Sequence, residues 1–510
     1  MLHLHRAERA DRLADALAEI LSAPPADPFT PDVIAVPTRG MERWLTQRLS
    51  ARLGVSDGRG DGVCANIDFP FPGRLIGGAI AVASGVEPEE DPWPPERSVW
   101  PLLALVQECR SEPWFAHLAP QFGGQRRFGQ ARLTADLFDH YGIRRPAMLR
   151  AWERGEDVDG SGAQLTISAC WQPELWRRLR AAIGSESPAE RLELACGRLR
   201  EDPALLELPD RVSLFGLTRL PASYVQALAA LGAGRELHLF LLHPSPALWR
   251  AIAEATAEHP RALARPRAAD PTARLAENRL LRSWGGDSRE LQLVLSAAGE
   301  HSDHHHSLKG AAEDTLLHRI QSDVVANRPP PGPPIQGETD QRFELTPTDR
   351  SIEIHACHGP ARQVEVLREA IMHLLAEDPA LEPRDVIVMC PDIETFAPLI
   401  GATFGSTSLE PAEEFEPGRT DLRVRLADRS LRQTNPILAA VARLIELTEL
   451  RLTASQLIDL ASSEPVRRRF RFSDDDLARI QDWIVECGIR WGLDAAHRVS
   501  YNLEEVPAGT

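Results

Sequence analysis

Lysine is almost absent from this 510-residue sequence, in which Lys309 is the only lysine and arginine supplies the rest of the 57 basic residues. This scarcity excludes several kinds of active site. A Walker A phosphate loop requires Gly-Lys-Ser/Thr, whereas Lys309 lies in Ser-Leu-Lys-Gly. A Schiff-base lysine, a Ser-x-x-Lys pair and an Asp…Glu-x-Lys nuclease site are excluded on the same ground. The sequence therefore predicts no competent P-loop NTPase site.

Paired cysteines and long apolar runs are also absent. The seven cysteines are scattered and none forms Cys-x-x-Cys, which argues against a zinc ribbon or a redox pair. An odd number of widely spaced cysteines is typical of proteins in a reducing compartment. We expect no signal peptide, and no run of about 20 apolar residues is present for a membrane span. These features predict a cytoplasmic protein with no membrane partner.

The remaining composition is that of a folded protein with an acidic balance. Apolar residues make up 43% of the chain and charged residues 26%, and the length suggests about three domains. The formal net charge is −17. That charge argues against a polybasic nucleic-acid binder, but it is compatible with a local basic channel.

The first part of the chain has the pattern of a parallel α/β domain. Ala7–Leu21 predicts an amphipathic helix, and Asp32–Pro37 predicts a short strand. A turn at Thr38–Gly40 is followed by apolar residues at helical spacing from Met41 to Leu53. This strand, turn and helix form what we take as the first βα unit.

Two further predicted strands, Arg211–Phe215 and Glu236–Leu242, flank a helix over Ser223–Leu231 and fit the same sheet. The intervening pattern is helical. We therefore assign residues 1–100 plus 200–325 to one parallel α/β domain, and residues 101–199 to a helical insertion.

A proline-rich stretch at 326–345 is predicted to be a stiff linker. After it, residues 346–510 predict a second α/β domain that begins with strands at Ser351–Cys357 and Asp385–Cys390. No capped helix or closing strand precedes Thr510. We therefore expect this domain to be truncated and the chain to be a fragment of a longer subunit.

Both halves of a nucleotide site are predicted to be empty. The strand and turn over 32–40 take the place of a phosphate loop but contain no lysine. The strand over 211–215 takes the place of a Walker B strand, which should end in acidic residues that hold magnesium and water. It runs instead into Gly216-Leu-Thr218 and carries no carboxylate there.

Several distinctive sequence blocks occur in order over nearly the whole chain. They are 36–44, 65–72, 135–141 with 145–146, 211–231, 281–285, 320–323, 355–360, 384–389 and 488–492. Together these blocks resemble the RecC family, the gamma subunits of the exodeoxyribonuclease V (RecBCD) helicase–nuclease.

The resemblance implies a P-loop superfamily 1 helicase-like fold that has lost its ATPase site. It implies a non-catalytic DNA-binding subunit that splits duplex ends, channels the 3′ single strand and scans it for the recombination hotspot Chi. RecB-like and RecD-like subunits would be its partners, and they would hold the ATP and magnesium. No catalytic residue, cofactor or metal is expected in this chain.

Arg39 and Arg43 are candidate phosphate contacts, because a helix N-terminus with arginines suits an anion. The resemblance places this region at the single-strand channel. Family members often carry small polar residues here, so Pro37 and Arg39 favour backbone contact over base readout. Phe71, or less favourably Phe69, could stack on bases. The competing interpretations are a solvated helix face for the arginines and core packing for the phenylalanines.

Asp136, Leu137, Asp139 and Arg145 form a block that the family uses for strand recognition at the channel. A carboxylate can accept a hydrogen bond from cytosine N4, and arginine can donate two to guanine. The alternative is a helix surface on which the carboxylates pair with nearby arginines.

Three other clusters are interpreted as structural. Arg467–Phe472 is basic and aromatic, but it is predicted to be a loop before a helix capped by Ser473. The histidine-rich run 301–306 lies in a stretch, 266–310, that is predicted to be irregular, and we expect a flexible loop there. His355, Cys357 and His358 lack a fourth zinc ligand, so packing is favoured.

Three alternatives to the subunit interpretation remain open. One is an active helicase of the related AddB or UvrD type, which the empty nucleotide site opposes. A second is a structural adaptor that binds the partner subunits but not DNA. A third is a truncated, non-functional remnant.

Overall fold

The computed structural model describes residues 1–25, 27–56, 62–122, 127–257, 270–296, 301–307, 314–333, 337, 339–405, 422, 424–427, 434–449 and 452–492. They belong to two compact units, residues 1–353 and 354–510. None of the described helices is long and apolar enough to cross a membrane. All seven cysteines have free thiols.

A six-stranded parallel sheet organises the first unit. Its strands are β1 (Leu2–Ala7), β2 (Asp32–Ala35), β3 (Ile67–Asp68), β4 (Arg211–Phe215), β5 (Glu236–Leu242) and β6 (Ser302–His305). They pair in the order β3-β2-β4-β5-β1-β6. The class prediction of α/β with a parallel sheet is confirmed, as are the predicted strands at 211–215 and 236–242.

The helices of the first unit connect these strands and cover them. They are α1 (Ala10–Leu21), α2 (Arg39–Ser50), α3 (Pro72–Ala83), α4 (Pro95–Glu108), α5 (Arg127–Arg144), α6 (Pro146–Glu153), α7 (Trp171–Ile183), α8 (Pro188–Glu201), α9 (Ala222–Leu231), α10 (Pro246–Ala257), α11 (Arg279–Trp284), α12 (Gly286–Ser296) and α13 (Leu316–Val325).

The first βα unit is β1 with α1, so the prediction that placed it at 32–54 is wrong. β1 alternates Leu2 and Leu4 with His3 and His5, and only the leucines enter the hydrophobic core of the opposite face. The strand has no apolar run, because its second face is covered by imidazole rings. β1 therefore lacks the hydrophobic pattern from which strands are predicted.

The two faces of the sheet carry different helices, because successive strand residues point to opposite sides. Val33 and Ala35 pack with α9 on one face. Ile34 packs with α1 and α2 on the other face, where Leu45 and Leu49 of α2 are fully buried.

Helices α4 to α7, together with the first turn of α8, have a hydrophobic core of their own. Phe115, Trp152 and Trp176 are among its fully buried side chains. Trp176 lies 6.3 Å from Trp152, ring centroid to centroid, in an edge-on contact. This cluster agrees with the helical pattern of 101–199, although the assignment of that segment as a separate insertion, like the other domain boundaries, stays a prediction.

The stretch 266–310 was predicted to be irregular, and this prediction is wrong for much of its described part. α11, α12 and β6 lie within it. The histidine-rich run forms β6 because its backbone pairs in parallel with β1, at a distance of about 300 residues along the chain that local patterns do not reveal.

The regular secondary structure in the described part of the second unit is mainly helical. The helices are α14 (Gly359–Glu377), α15 (Ile393–Phe404), α16 (Pro436–Glu449), α17 (Ala454–Ser462), α18 (Glu464–Phe470) and α19 (Asp474–Glu486).

The strands predicted at 351–357 and 385–390 do not form, so the second α/β pattern is not found in the described part of this unit. A strand needs a neighbour for its backbone hydrogen bonds, and none is present among the described residues. Ile354 and Met389 are accordingly exposed. The predicted loop at 467–472 is also wrong, since its first four residues belong to α18.

Candidate nucleic-acid interface

The carboxyl ends of β2 and β4 form a topological switch point. From β2 the chain enters α2 on one face of the sheet, and from β4 it enters α9 on the other face. Ligands of open parallel sheets bind in the crevice that such a divergence creates. The predicted contacts Arg39 and Arg43 lie on α2 at this edge.

Local sequence fixes the start of α2. Thr38 caps the helix by accepting a hydrogen bond from the Met41 amide at 3.1 Å. After β4, Gly216 adopts a φ of +75°, and a Cβ at that position would lie 3.0 Å from Met41 Cε. Glycine therefore allows the β4 turn and the first turn of α2 to approach closely.

Phe71 completes this edge. The Val36 amide donates a hydrogen bond to the Pro70 carbonyl at 3.1 Å, which ties the loop before α3 to the end of β2. The Phe71 ring is 44% exposed, and the Arg39 guanidinium carbon lies 5.5 Å from its centroid. The structure thus brings two predicted residues together as a cation–π pair.

Arg39 also pairs with Glu42 on the same helix. Arg43 lies one helical turn beyond Arg39 and is exposed, so the two guanidinium groups occupy one helix face. This face is partly neutralised by Glu42, which limits how strongly it attracts phosphate.

Phe69 has a different environment from Phe71. It is partly buried against the core beneath α1 and α2. It also borders a cavity of about 650 Å³ next to Thr30 and Glu207, near the start of β2 and β4. Core packing therefore describes Phe69, and only Phe71 is presented at the switch point.

The carboxylate of Asp136 is paired, as its structural interpretation predicts. Arg132 lies 3.2 Å from Asp136 on α5 and donates to Glu96 at 2.8 Å. Leu137 is half-buried beside it. These residues form a helix surface with satisfied charges.

Asp139 has a different environment from Asp136, which is paired with Arg132. It makes no hydrogen bond or ion pair within the described part of the chain. Burial, reinforced by the nearby carboxylates of Glu96 and Asp136, raises the pKa of Asp139 to about 6. Burial, together with the charge of the nearby Asp139 carboxylate, raises the pKa of the Tyr224 phenol to about 12.

Tyr224 is a residue that sequence reasoning missed. It lies in the first turn of α9, directly after the switch-point strand β4. The neighbouring Ser223 hydroxyl donates to the Ile143 carbonyl, which holds the end of α5 against α9. A Cβ on Gly73 would lie 3.5 Å from the Tyr224 hydroxyl. Its position directly after β4 could have identified it as a candidate, because ligands of parallel sheets bind at the carboxyl ends of the strands.

These contacts join the candidates into one row. Arg39 contacts Phe71, which precedes Gly73 at the start of α3, and Gly73 adjoins Tyr224, whose phenol is near enough to Asp139 for the carboxylate charge to influence it. Arg145 is not part of this row in the contacts that the structure records. Its side chain lies against Gly160, where a Cβ would be 2.7 Å from Arg145 Cδ.

The other predicted clusters lie outside this row. No group of three or more histidine, cysteine or acidic residues within the described ranges could hold a metal ion. His355 and His358 are exposed, so the packing predicted for them is wrong. In α18, Arg467 pairs with Asp474 and Arg468 with Glu464. The predicted Ser473 cap of the next helix is confirmed.

Two family models match this chain, one within each compact unit. The family described as "RecC, N-terminal domain" matches residues 2–327. The family described as "RecBCD enzyme subunit RecC fourth domain" matches residues 434–510.

Curated relatives match along the whole chain. The RecBCD enzyme subunit RecC of Mycobacterium tuberculosis is 45% identical over 523 residues, covering 100% of this chain and 45% of the relative. That of Mycolicibacterium smegmatis is 44% identical, covering 99% and 44%. That of Escherichia coli is 32% identical, covering 97% and 45%. The chain thus spans about 45% of the length of these relatives, and it belongs to the RecC family.

Proposed function

We propose that this chain is part of a non-catalytic DNA-binding subunit of a RecBCD (exodeoxyribonuclease V) complex. In this role it splits duplex ends, channels the 3′ single strand and scans it for Chi during double-strand break repair by homologous recombination. Its partners are RecB-like and RecD-like subunits, which supply ATP, magnesium and the motor and nuclease activities.

The observation that carries the proposal is the Arg39–Phe71 pair at the switch point. An exposed ring beside a guanidinium suits single-stranded nucleic acid, because any base can stack on the ring while the cation attracts the backbone. Arg43 on the same helix face extends the positive charge. Asp139 and Tyr224 add polar groups further along the row, where a base edge can be hydrogen-bonded.

The proposal includes a helicase-like domain without a working nucleotide site. Two βα turns of the sheet are candidates for a phosphate loop, and neither contains Gly-Lys-Ser/Thr. The turn after β1 has Glu8-Arg9, and the turn after β2 has Val36-Pro-Thr38. The end of β4 at Gly216–Thr218 provides no carboxylate for magnesium. These sequences support a subunit that depends on its partners for ATP hydrolysis.

Photo-crosslinking of single-stranded DNA to the assembled complex tests this proposal. We expect crosslinks to map near Arg39, Phe71 and Asp139, and an Arg39→Ala, Phe71→Ala double variant to lose most of them. Arg154→Ala is the matched control, because Arg154 is an exposed arginine paired with Glu156 on the end of another helix.

A structural adaptor predicts the opposite result. In that case the complex assembles, but no crosslink maps to the switch-point row, and the double variant and the Arg154→Ala control behave alike. ATP hydrolysis by the purified chain without its partners would contradict the non-catalytic assignment.

A further inference from the structure

Three neighbouring strands bring histidines to one face of the sheet. β1 alternates His3 and His5 with leucines that pack on the opposite face. The parallel registers place His238 of β5 opposite His3, and His304 of β6 opposite His5. His306 follows two residues after His304 and so points to the same side. The five side chains are named the histidine array below.

Ring nitrogens of the array contact one another directly. His5 Nδ1 lies 3.0 Å from His306 Nε2, and His5 Nε2 lies 3.0 Å from His238 Nδ1. His3 Nδ1 lies 3.4 Å from His304 Nε2. His5 is therefore the centre of a line of three rings that crosses from β6 through β1 to β5.

These contacts have the geometry of hydrogen bonds and not of metal ligation. The centroids of His5 and His306 are 5.3 Å apart and their planes are 12° from parallel, so the contacting nitrogens lie on the line between the rings. Zinc holds its ligands tetrahedrally, so two Zn–N bonds of about 2 Å would direct the two rings at an angle of about 109° with their nitrogens about 3.3 Å apart, and not along one line. A shared proton fits the observed 3.0 Å.

A neutral imidazole has one donor and one acceptor nitrogen, and an imidazolium has two donors. The line His306–His5–His238 is therefore satisfied when its rings are neutral, and it tolerates at most one extra proton. Two adjacent imidazolium rings would direct N–H groups at each other across 3.0 Å. Burial and the neighbouring histidines accordingly lower the pKa of His5 to about 3.

Charged groups on the surrounding elements act on the array. They are the amino terminus of β1, Glu236 on β5, Arg211 on β4 and Glu19 on α1. Glu236 and Glu19 favour protonation of the rings nearest to them. Burial outweighs both, since it is the largest influence and lowers the pKa of His3, His238 and His306.

Strand β6 and the residue that follows it contribute two rings, His304 and His306, to this array. The strand is four residues long and pairs with β1 alone among the described strands. On the array face it is held by His304 and His306. On the opposite face Asp303 bonds to Arg6 at 2.8 Å and His305 lies 2.5 Å from Glu8.

We propose that the histidine array is a proton-sensitive latch that holds β6 on the sheet when its rings are neutral and releases β6 when a second proton enters the array. Release leaves the edge of β1 open for pairing with another strand. The latch operates in the sheet and does not depend on DNA binding at the switch point.

Hydrogen–deuterium exchange of the whole chain, corrected for intrinsic rates, tests the latch. Between pH 7.5 and 5.5 we expect protection of the β6 amides to fall at least about tenfold, while protection of β4 stays unchanged. Tenfold is the factor by which one freed histidine of pKa about 6.5 favours the open state at pH 5.5.

Two variants locate the effect. His306→Gln keeps a donor and an acceptor but cannot titrate, and His5→Phe keeps a ring that can stack on Phe240, as His5 does at 4.6 Å. Both should reduce the acid-induced loss to less than about threefold. The matched control is His305→Gln, on the same strand but the opposite face, which should retain the tenfold loss.

The proposal is overturned if His306→Gln and His5→Phe lose protection as wild type does, or if wild type loses none. It is also overturned if β4 loses protection in parallel, because that result means global acid unfolding. Release of β6 by a chelator at pH 7.5 would show that the rings hold a metal, and it would equally overturn a hydrogen-bonded latch.

Discussion

Each compact unit of the chain places an arginine over an exposed phenylalanine, but the two pairs are built differently. In the first unit, Arg39 and Phe71 come from separate segments that the end of β2 brings together, with the guanidinium 5.5 Å from the ring. In the second unit, Arg469 lies 5.9 Å from the ring of its sequence neighbour Phe470. The first pair exists only in the folded sheet, whereas the second is a local feature of one helix.

The surroundings of the two pairs differ in the same way. The first unit has extended buried clusters on both faces of its sheet. The described part of the second unit has a small one, formed by Leu447, Leu452 and Leu460. Near Phe470, acidic residues accompany the arginines, since Asp474 and Glu464 pair with two of them. An arginine next to a phenylalanine in sequence is therefore not sufficient for a binding site. The candidate site of the first unit also requires the sheet, which brings distant residues together.

The largest expected effect concerns the buried ion pair of the first unit. Arg191 and Asp91 are 2.6 Å apart, with side chains 5% and 9% exposed. Arg191→Ala leaves a buried carboxylate unpaired and should destabilise the unit by about 3–5 kcal/mol. Urea unfolding followed by far-UV circular dichroism measures this, because helices of both units contribute to that signal.

The second unit supplies the control for that substitution. Arg468 and Glu464 form an ion pair whose side chains are 81% and 66% exposed. Arg468→Ala should leave the urea midpoint unchanged, because exposed pairs contribute little. Equal effects of the two substitutions would show that burial does not distinguish the units.

A leucine substitution tests the difference in packing. Leu45 of α2 is fully buried beneath the switch point, and Leu45→Ala should cost about 2–5 kcal/mol through lost burial and a cavity. Leu444 of α16 is 49% exposed, so Leu444→Ala should cost less than about 1 kcal/mol. Thermal unfolding of both variants makes the comparison. A large loss at Leu444 would mean that this helix face is covered.

The sequence was sufficient to predict the strands whose signals are local. Arg211–Phe215 and Glu236–Leu242 were predicted with the observed bounds, because they are apolar runs between polar or turn-forming residues. β6 could not be predicted, since Ser-Asp-His-His has no strand character. Its pairing depends on β1, far away along the chain.

The segments 351–357 and 385–390 show the converse error. Their alternation of apolar residues is typical of strands, but a strand also needs a partner, and the described residues provide none. The candidate site was predicted residue by residue from resemblance. Which of these residues contact one another was not predicted. The contact of Arg39 with Phe71 and the position of Tyr224 depend on tertiary structure.

A smaller effect separates the two arginine–phenylalanine pairs in DNA binding. Stacking of one base on an aromatic ring contributes about 1–3 kcal/mol, so Phe71→Ala should weaken binding of single-stranded DNA about tenfold. Phe470 is 63% exposed, and Phe470→Ala should leave the affinity unchanged. Fluorescence anisotropy at fixed salt provides the measurement. If Phe470→Ala weakened binding and Phe71→Ala did not, the DNA site would lie in the second unit.

The smallest expected effect is a pH dependence of binding at Asp139. Its pKa is raised to about 6, chiefly by burial, so the carboxyl is ionised at pH 7.5 and about half protonated at pH 6. Protonation removes a negative charge from the strand path, and DNA affinity should rise about twofold between these pH values. Asp139→Asn is neutral at every pH, whereas wild type is only half protonated at pH 6, so the variant should bind at pH 7.5 about threefold more tightly than wild type does and should lose this dependence.

Asp136→Asn is the control for Asp139, because Asp136 is already paired with Arg132 on the same helix. Binding is a better readout than stability here. A raised carboxyl pKa means that the folded chain gains stability as pH falls from about 6 towards 3.8. The lowered pKa values of the histidine array make it lose stability over the same acid range. The two opposing contributions overlap in an unfolding curve, whereas DNA affinity reports on the switch-point row alone.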